Sequence, residues 1–407
     1  MLVHATGNAN VRQAALAFQE AGILAGFHTT IAWRRGGVVD RLLPGGLRGE
    51  FRRRSFEGIP PELIHAHPRR ELVRLLAMKQ GWSGLTRHET GRFSFDAVAW
   101  ELERVVAKEL KAGPQLDAVY CYDTCARDIF EAAKERGIKC IFDQPTGYYR
   151  ASLKIIEEER ELRPEWASTL SGIRDSADKF ARKDREIGLA DAIVVASSFT
   201  ERTLKEYPQA IATPVFRVPY GAPAVGEPKQ AARRGGPLRV LYVGQMGHRK
   251  GLGYLLDAMD LLAVPATLTL LGRPIDVPPV LKRALERHRW IETAAHGEVL
   301  RLMREHDVLA FPSLFDGFGL VMLEAMAQGT PVIATPNTGA PDFLEDGRDG
   351  FLVPIRSAEA IAERLTRLAE DRELLAEMSE AARQKAAKCT WDEFRRGLVE
   401  AVAAALG

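Results

Sequence analysis

Val240-Leu241-Tyr242-Val243-Gly244-Gln245-Met246-Gly247-His248-Arg249-Lys250-Gly251 reads as a β-strand that runs into a glycine-rich loop with two adjacent cations, after which a helix begins. Glycines let a backbone come close to a diphosphate, and a lysine there neutralises it as a compact point charge. The bland reading of the same residues is a basic surface turn. The loop is not a P-loop, because no Gly-Lys-Ser/Thr follows, and it lacks the Gly-x-Gly-x-x-Gly spacing of a dinucleotide site. Gly7-Asn8-Ala9-Asn10 repeats the theme more weakly after the first strand.

Outward from that strand, short β-branched runs alternate with helical patterns along the whole chain, as parallel sheets covered by helices require. In the first half, strand-like runs cover 2–5, 29–33, 118–122, 140–143 and 192–196, and helix-like patterns cover 11–21, 61–78 and 95–111. Ser197-Ser198-Phe199-Thr200-Glu201 reads as a helix cap with an acidic first turn. Prolines and glycines then cluster over 218–237. Beyond them the pattern restarts, with strands at 238–243, 266–271, 308–311 and 332–335 and a helix at 253–262. The expected fold is α/β, with a domain at 1–218, a linker at 219–237, a second domain at 238–388 and a terminal segment, 389–407, whose helix packs back on the first domain. Two such halves leave a cleft between the carboxyl ends of their strands, where open α/β sheets bind ligands.

The bulk numbers agree with two domains, since 407 residues exceed one ordinary core. A formal charge of +2 gives no global reason to expect nucleic acid. Four cysteines are too few and too unevenly placed for a disulfide framework, and Cys121 and Cys125 lack the second pair a zinc site needs, so buried thiols are expected. No leader-like segment and no apolar run of about 18 residues is read, so the expectation is a cytoplasmic chain without a span. One asymmetry stands out: Arg34 to Arg92 holds 13 Lys/Arg against 6 Asp/Glu, including Arg52-Arg53-Arg54. This is either a solvated surface region or a face for an anionic membrane or a phosphorylated acceptor.

A second segment carries chemistry, Pro312-Ser313-Leu314-Phe315-Asp316-Gly317-Phe318-Gly319-Leu320-Val321-Met322-Leu323-Glu324. Asp316 sits in a tight turn. Glu324 is the only charge in the otherwise apolar helical run that follows, and a charge there needs a partner. Ribose hydroxyls would serve, as would a neighbouring arginine. A glycosidase pair would stand about 5 Å or 6.5–9.5 Å apart around one anomeric carbon. Eight helical residues rise about 12 Å, so the two carboxylates suit opposite parts of one elongated ligand better. The turns Thr338-Gly339-Ala340-Pro341-Asp342 and Asp346-Gly347-Arg348-Asp349-Gly350-Phe351-Leu352-Val353-Pro354 border the same sheet edge.

In these motifs, from Leu238 through Pro354, the chain resembles the retaining GT-B glycosyltransferases of the large fourth family, the group 1 type. Pro312 to Pro331 nearly reproduces the family's order of Pro-Ser, Glu-Gly-Phe-Gly-Leu and Glu-Ala-x-Ala-x-Gly-x-Pro. The resemblance implies a GT-B fold, two Rossmann-like domains around a cleft, and a retaining, metal-independent hexosyl transfer. The donor is a nucleoside-diphosphate sugar and the acceptor a hydroxyl of a glycan, a lipid-linked sugar or a small molecule, with no cofactor, as in polysaccharide or glycolipid biosynthesis. It implies that Glu324 holds the ribose and that Lys250, with Gly244, Gln245 and Arg249 around it, faces the diphosphate. Backbone amides of Phe318, Gly319, Leu320 and Val321 meet the sugar and its phosphate, Gly317 joins them in the donor site, and Asp316 contacts the transferred sugar. Two departures matter. Asp316 is one methylene shorter than the family's glutamate, and Gln245 replaces a common arginine. The role of the family's amino-terminal histidine is assigned to no residue, since Phe142-Asp143-Gln144-Pro145 occupies that region; Gly7, Asn8 and Gln144 are the cleft residues assigned on that side. These departures leave a second reading, a sugar-nucleotide-binding partner without transferase activity. An NAD-linked oxidoreductase is disfavoured by the glycine spacing.

Overall fold

The computed structural model of the chain describes residues 1–33, 36, 40, 41, 51, 52, 54–170, 175–229 and 235–407. Arg34, Arg35, Arg48 and Arg53 of the basic segment and linker residues 230–234 lie outside them. The first sheet contains β1 (Leu2–Val3), β2 (Phe27–Thr29), β3 (Ile64–Ala66), β4 (Ala118–Tyr122), β5 (Lys139–Gln144), β6 (Ala192–Val195) and β7 (Val215–Arg217). The second contains β8 (Leu238–Val243), β9 (Ala266–Leu271), β10 (Arg289–Ile291), β11 (Val308–Phe311), β12 (Val332–Ala334) and β13 (Gly350–Leu352). Their orders are β3-β2-β1-β4-β5-β6-β7 and β10-β9-β8-β11-β12-β13. Every pairing between these strands is parallel. Both sheets are doubly wound, and each reverses strand order once, between β1 and β4 and between β8 and β11.

The central strands are buried on both faces, which is why they read as β-branched runs rather than alternating ones. The linker and the terminal segment cross between the domains side by side: Ala222 N–H donates to the Cys389 carbonyl at 2.6 Å. Tyr220 of the linker packs against Phe318, Trp391 and Phe394. The last helix, Trp391–Leu406, lies along the helix Ala9–Glu20, with Arg395 bonded to Gln13 and ion-paired to Glu20 at 2.8 Å. Trp166, although inside 1–218, is fully buried in the core of the second domain.

Two readings from sequence need correction. The strand placed at 29–33 is Phe27–Thr29: β1 supplies only two partners, and Thr30 then turns to bond the Ala5 carbonyl at 2.6 Å. The helix placed at 61–78 breaks into a 3-10 turn Pro61–Leu63, the edge strand β3 and a helix Arg69–Lys79. Pro68 is the cause, because it biases the residue before it towards extended backbone and starts the helix after itself. Cys121, Cys125 and Cys140 are buried free thiols. Ser197 caps the helix Ser198–Thr203 through the Thr200 N–H at 3.0 Å.

Candidate functional site

The two glycine-bearing loops of the second domain leave the carboxyl ends of β8 and β11, the strands that flank its reversal point. That is where a doubly wound sheet opens a crevice. A cavity of about 750 Å³ lies at the opposite edge of this sheet, among Arg239, Thr267 and His288, so volume does not mark the site.

The loops are fastened to one another. A 3-10 turn, His248–Lys250, ends at Gly251 in the left-handed region, φ +71°, where a Cβ would fall 1.8 Å from the Pro312 carbonyl oxygen. Only glycine fits there. Arg249 Nη1 donates to the Phe315 carbonyl at 2.6 Å, and the Leu314 N–H donates to the Arg249 carbonyl at 3.0 Å. This brings Lys250 Nζ into an ion pair with Asp316 Oδ2, both side chains about five-sixths buried. Burial alone would raise the Asp316 carboxyl, but Lys250 and Arg249 outweigh it and hold it below its ordinary value. Lys250 also lies 5.4 Å from the centre of the Phe311 ring. Gln245 is exposed, and its carbonyl accepts from the Tyr242 hydroxyl at 2.9 Å. Gly244 leaves β8 with φ +151°.

Gly319 enters the helix Leu320–Ala327 with φ +83°, and no side chain caps it. First-turn N–H groups have no intrahelical acceptor, so Leu320 and Val321 present donors beside Lys250. Phe318 N–H leans on Asp316 Oδ1 at 3.4 Å while its ring packs on Tyr220 and Phe343. Glu324, one turn further in, keeps 24% of its side chain exposed, with His296 Nδ1 at 4.0 Å from its carboxylate. Burial pushes its carboxyl up, opposed by His296.

The first domain touches these loops. Ser197 Oγ donates to the Gly317 carbonyl, and Thr200 Oγ1 reaches it at 3.0 Å. A Cβ on Gly317 would sit 2.3 Å from the Pro145 carbonyl oxygen, so the close approach requires glycine. The remaining assigned residues take local roles. Gln144 is buried and donates to the Thr146 carbonyl at 2.9 Å, supporting that turn. Gly7 packs against the Phe56 ring and accepts from Arg12 Nη1 at 2.6 Å. Asn8 opens the helix Ala9–Glu20 without capping it.

Two clusters escaped the sequence reading of sites. At the carboxyl end of β5, Asp143 is buried and accepts from the Tyr120 hydroxyl at 2.5 Å; burial pushes it up to about 7, against the pull of Tyr120 and Tyr122. Beside the diphosphate-type loop, Glu159 from the helix Tyr149–Leu162 crosses to the second domain. There it meets His248 Nε2 at 2.5 Å, the Tyr254 hydroxyl at 3.0 Å and the Arg356 guanidinium. Burial alone would raise Glu159, and His248 with Arg356 overcomes this and holds it low.

Residues 227–385 match the family model described as glycosyl transferases group 1. The chain carries a group 1 glycosyl transferase domain. That domain contains both loops, the helix Leu320–Ala327 and the turns at Thr338 to Pro354. A D-inositol 3-phosphate glycosyltransferase of Corynebacterium urealyticum is 31% identical over 211 residues, covering 47% of this chain and 50% of its own. The Amylovoran biosynthesis glycosyltransferase AmsK of Erwinia amylovora is 29% identical, covering 37% of this chain and 40% of its own. The chain thus matches half or less of the length of these curated relatives. Among solved structures, a sucrose-phosphate synthase from Thermosynechococcus elongatus covers 99% of this chain and 98% of its own at TM-score 0.67 and 16% identity. Anabaena HepE in complex with UDP and glucose covers 99% and 98% at TM-score 0.60 and 13% identity. The whole chain has the GT-B fold, with the group 1 domain as its second half.

Proposed function

We propose that the protein is a glycosyltransferase that moves a sugar from a nucleoside-diphosphate sugar to a hydroxyl acceptor, retaining the anomeric configuration and using no metal. The Lys250–Asp316 pair carries this reading: two mutually fastened loops hold it beside the open end of the helix Leu320–Ala327, at the reversal point of the sheet. The diphosphate lies over that helix end, and Lys250 turns to it from Asp316. Glu324, whose neighbour His296 stands off at 4.0 Å, takes the ribose hydroxyls, and Asp316 takes a hydroxyl of the transferred sugar. The bond from the anomeric carbon to the diphosphate oxygen breaks, and its electron pair stays on the diphosphate. Lys250 and the first-turn amides stabilise that charge, usually the largest single contribution an enzyme makes. The acceptor oxygen bonds to the same face, and its proton passes to the leaving phosphate. The relatives named glycosyltransferases and the UDP bound in HepE support such a donor.

The acceptor side is read as facing an anionic membrane. On the helix Arg69–Lys79, Leu72, Val73 and Leu76 share one side and are 42%, 36% and 49% exposed, followed by Trp82 at 51%, with exposed Arg69, Lys79, Arg87 and Arg92 near them in sequence. An apolar stripe rimmed by cations suits an interfacial helix. The neighbouring charges are less free: Arg52 pairs with Asp40 at 2.8 Å, and Arg74 pairs with Glu71 at 2.6 Å. Among the described residues, no helix is long and apolar enough to cross a membrane.

Release of nucleoside diphosphate from a panel of donors tests the transfer reading, with loss expected in Lys250→Ala and Asp316→Ala. Nucleotide binding without turnover of any donor and acceptor pair would replace it with the sugar-nucleotide-binding partner. Cosedimentation with phosphatidylglycerol vesicles at low salt tests the membrane reading; equal binding by Leu76→Ser and wild type would end it.

A further inference from the structure

Away from the cleft, the edge of the first sheet gathers three of the chain's nine histidines. His28 lies on β2, His65 is its register partner on β3, and His67 follows two positions on. Alternation along a strand turns residues two apart to the same side. Phe27 points into the opposite core with Leu2 and Phe18, so His28 faces the helix Phe95–Ala112, which supplies Glu109.

The geometry is that of a donor set. His28 Nδ1 stands 3.3 Å from His67 Nε2 and 3.6 Å from Glu109 Oε2, and the three ligand atoms all lie within 4.8 Å of one another. An ion bound tetrahedrally at about 2.1 Å from nitrogen and oxygen ligands spaces neighbouring donors about 3.4 Å apart. Two of the three edges already have that spacing. A hydrogen bond between the imidazoles explains only one of them, because neutral His28 has a single N–H and cannot serve both neighbours through Nδ1. The His28 ring stacks on His65 with centroids 4.6 Å apart and on His67 at 5.6 Å. His67 is half-buried and Glu109 exposed, which leaves the point open to solvent.

We propose that His28, His67 and Glu109 bind one borderline divalent transition-metal ion of the Zn²⁺ class. Two imidazoles and one carboxylate favour such an ion over Mg²⁺ or Ca²⁺ and leave a fourth position for water. The ion ties the edge strands β2 and β3 to the helix Phe95–Ala112, and the sugar-transfer chemistry takes no residue from it. A second group, His88, Glu89 and Asp175, is closed by a hydrogen bond between His88 Nε2 and Asp175 at 2.7 Å, with Glu89 also accepting from the Ser176 N–H at 2.9 Å, and serves as the internal control.

Tag-free full-length protein, stripped with EDTA and titrated with ZnCl₂ by calorimetry, provides the test, with Co²⁺ absorption as the spectroscopic readout. Wild type is expected to bind one equivalent, to melt at a higher temperature when loaded, and to give the visible bands of four-coordinate cobalt. Both His67→Ala and Glu109→Gln, which spare the buried His28, should weaken binding at least roughly ten-fold, the lower end of what even an outer partner's loss costs. His88→Ala should bind like wild type. Absence of saturable binding near one equivalent overturns the proposal, as does wild-type affinity in both His67→Ala and Glu109→Gln or loss of binding in His88→Ala.

Discussion

The two sheets have the same winding, yet their carboxyl edges differ in chemistry. In the second domain, the loops after β8 and β11 carry Arg249, Lys250 and Asp316 on a backbone with glycines at φ +71° and +83°. In the first, the corresponding edge holds the hydroxyls of Tyr120 and Tyr122 around a buried Asp143. The first arrangement is a charged cradle already assembled for an anion; the second is a nearly neutral, hydroxyl-rich wall. Topology alone therefore sets where a ligand lies, and side chains decide which end of it each domain takes.

Glu159 is where the contrast is most open to being broken, because it belongs to the first domain by sequence and to the second by contact. Glu159→Ala leaves His248 and Arg356 in a buried site without their anion, a loss of about 3–5 kcal/mol. Urea denaturation of the full chain should show it, with Glu158→Ala, 56% exposed at its side chain, as a near-silent control. Equal stability of the two variants would mean that the domains are not joined through this carboxylate.

Lys250→Ala should lower kcat/KM by roughly 10²–10³, about 3–4 kcal/mol, the usual cost of removing one charge-stabilising donor. Steady-state kinetics measure it, and a fall in kcat larger than any rise in donor KM marks a group that acts on developing charge. A change confined to KM would make the cradle a binding device only.

Glu324→Gln should act more weakly and in the other parameter. A charge-assisted bond to ribose is worth about 1.5–3 kcal/mol, so donor KM should rise at least roughly ten-fold with kcat little changed. Unaltered nucleotide affinity by calorimetry would remove Glu324 from the site.

These expectations rest on parts of the molecule that were unequally legible. Glu324 and the Gly319 turn could be read because their signal is local: a lone carboxylate in an apolar helix, after a turn that needs glycine. The parallel sheets were legible for the same reason, through runs of buried strand residues. The edge strand β3 was not, since Ile64–Ala66 is three residues long and sits inside a helix-like pattern that only Pro68 interrupts. Glu159 was invisible because its partner His248 is 89 positions away and nothing in Glu157-Glu158-Glu159 distinguishes the buried member. Asp143 was named without a role, because its environment is made by Tyr120, 23 positions earlier on the neighbouring strand.

Asp143 gives the most gradual effect, spread over several pH units, and the one that best separates the two domains. Its carboxyl is held at about 7 against an ordinary 3.8, by burial first. Between pH 4 and 7 the native state keeps a proton that the unfolded chain has released. The unfolded chain then binds fewer protons, and stability falls as pH rises, by at most about 1.4 kcal/mol per pH unit for one group. Asp316 moves the other way: held low by Lys250 and Arg249, it adds stability that is lost only as pH drops below the ordinary carboxylate range. Asp143→Asn should therefore flatten the decline from pH 4 to 7 in a series of urea midpoints, while Asp316→Asn should leave that window unchanged. A wild-type slope that persists in Asp143→Asn would assign it to Glu186, the other buried carboxyl of the first domain raised to about 7.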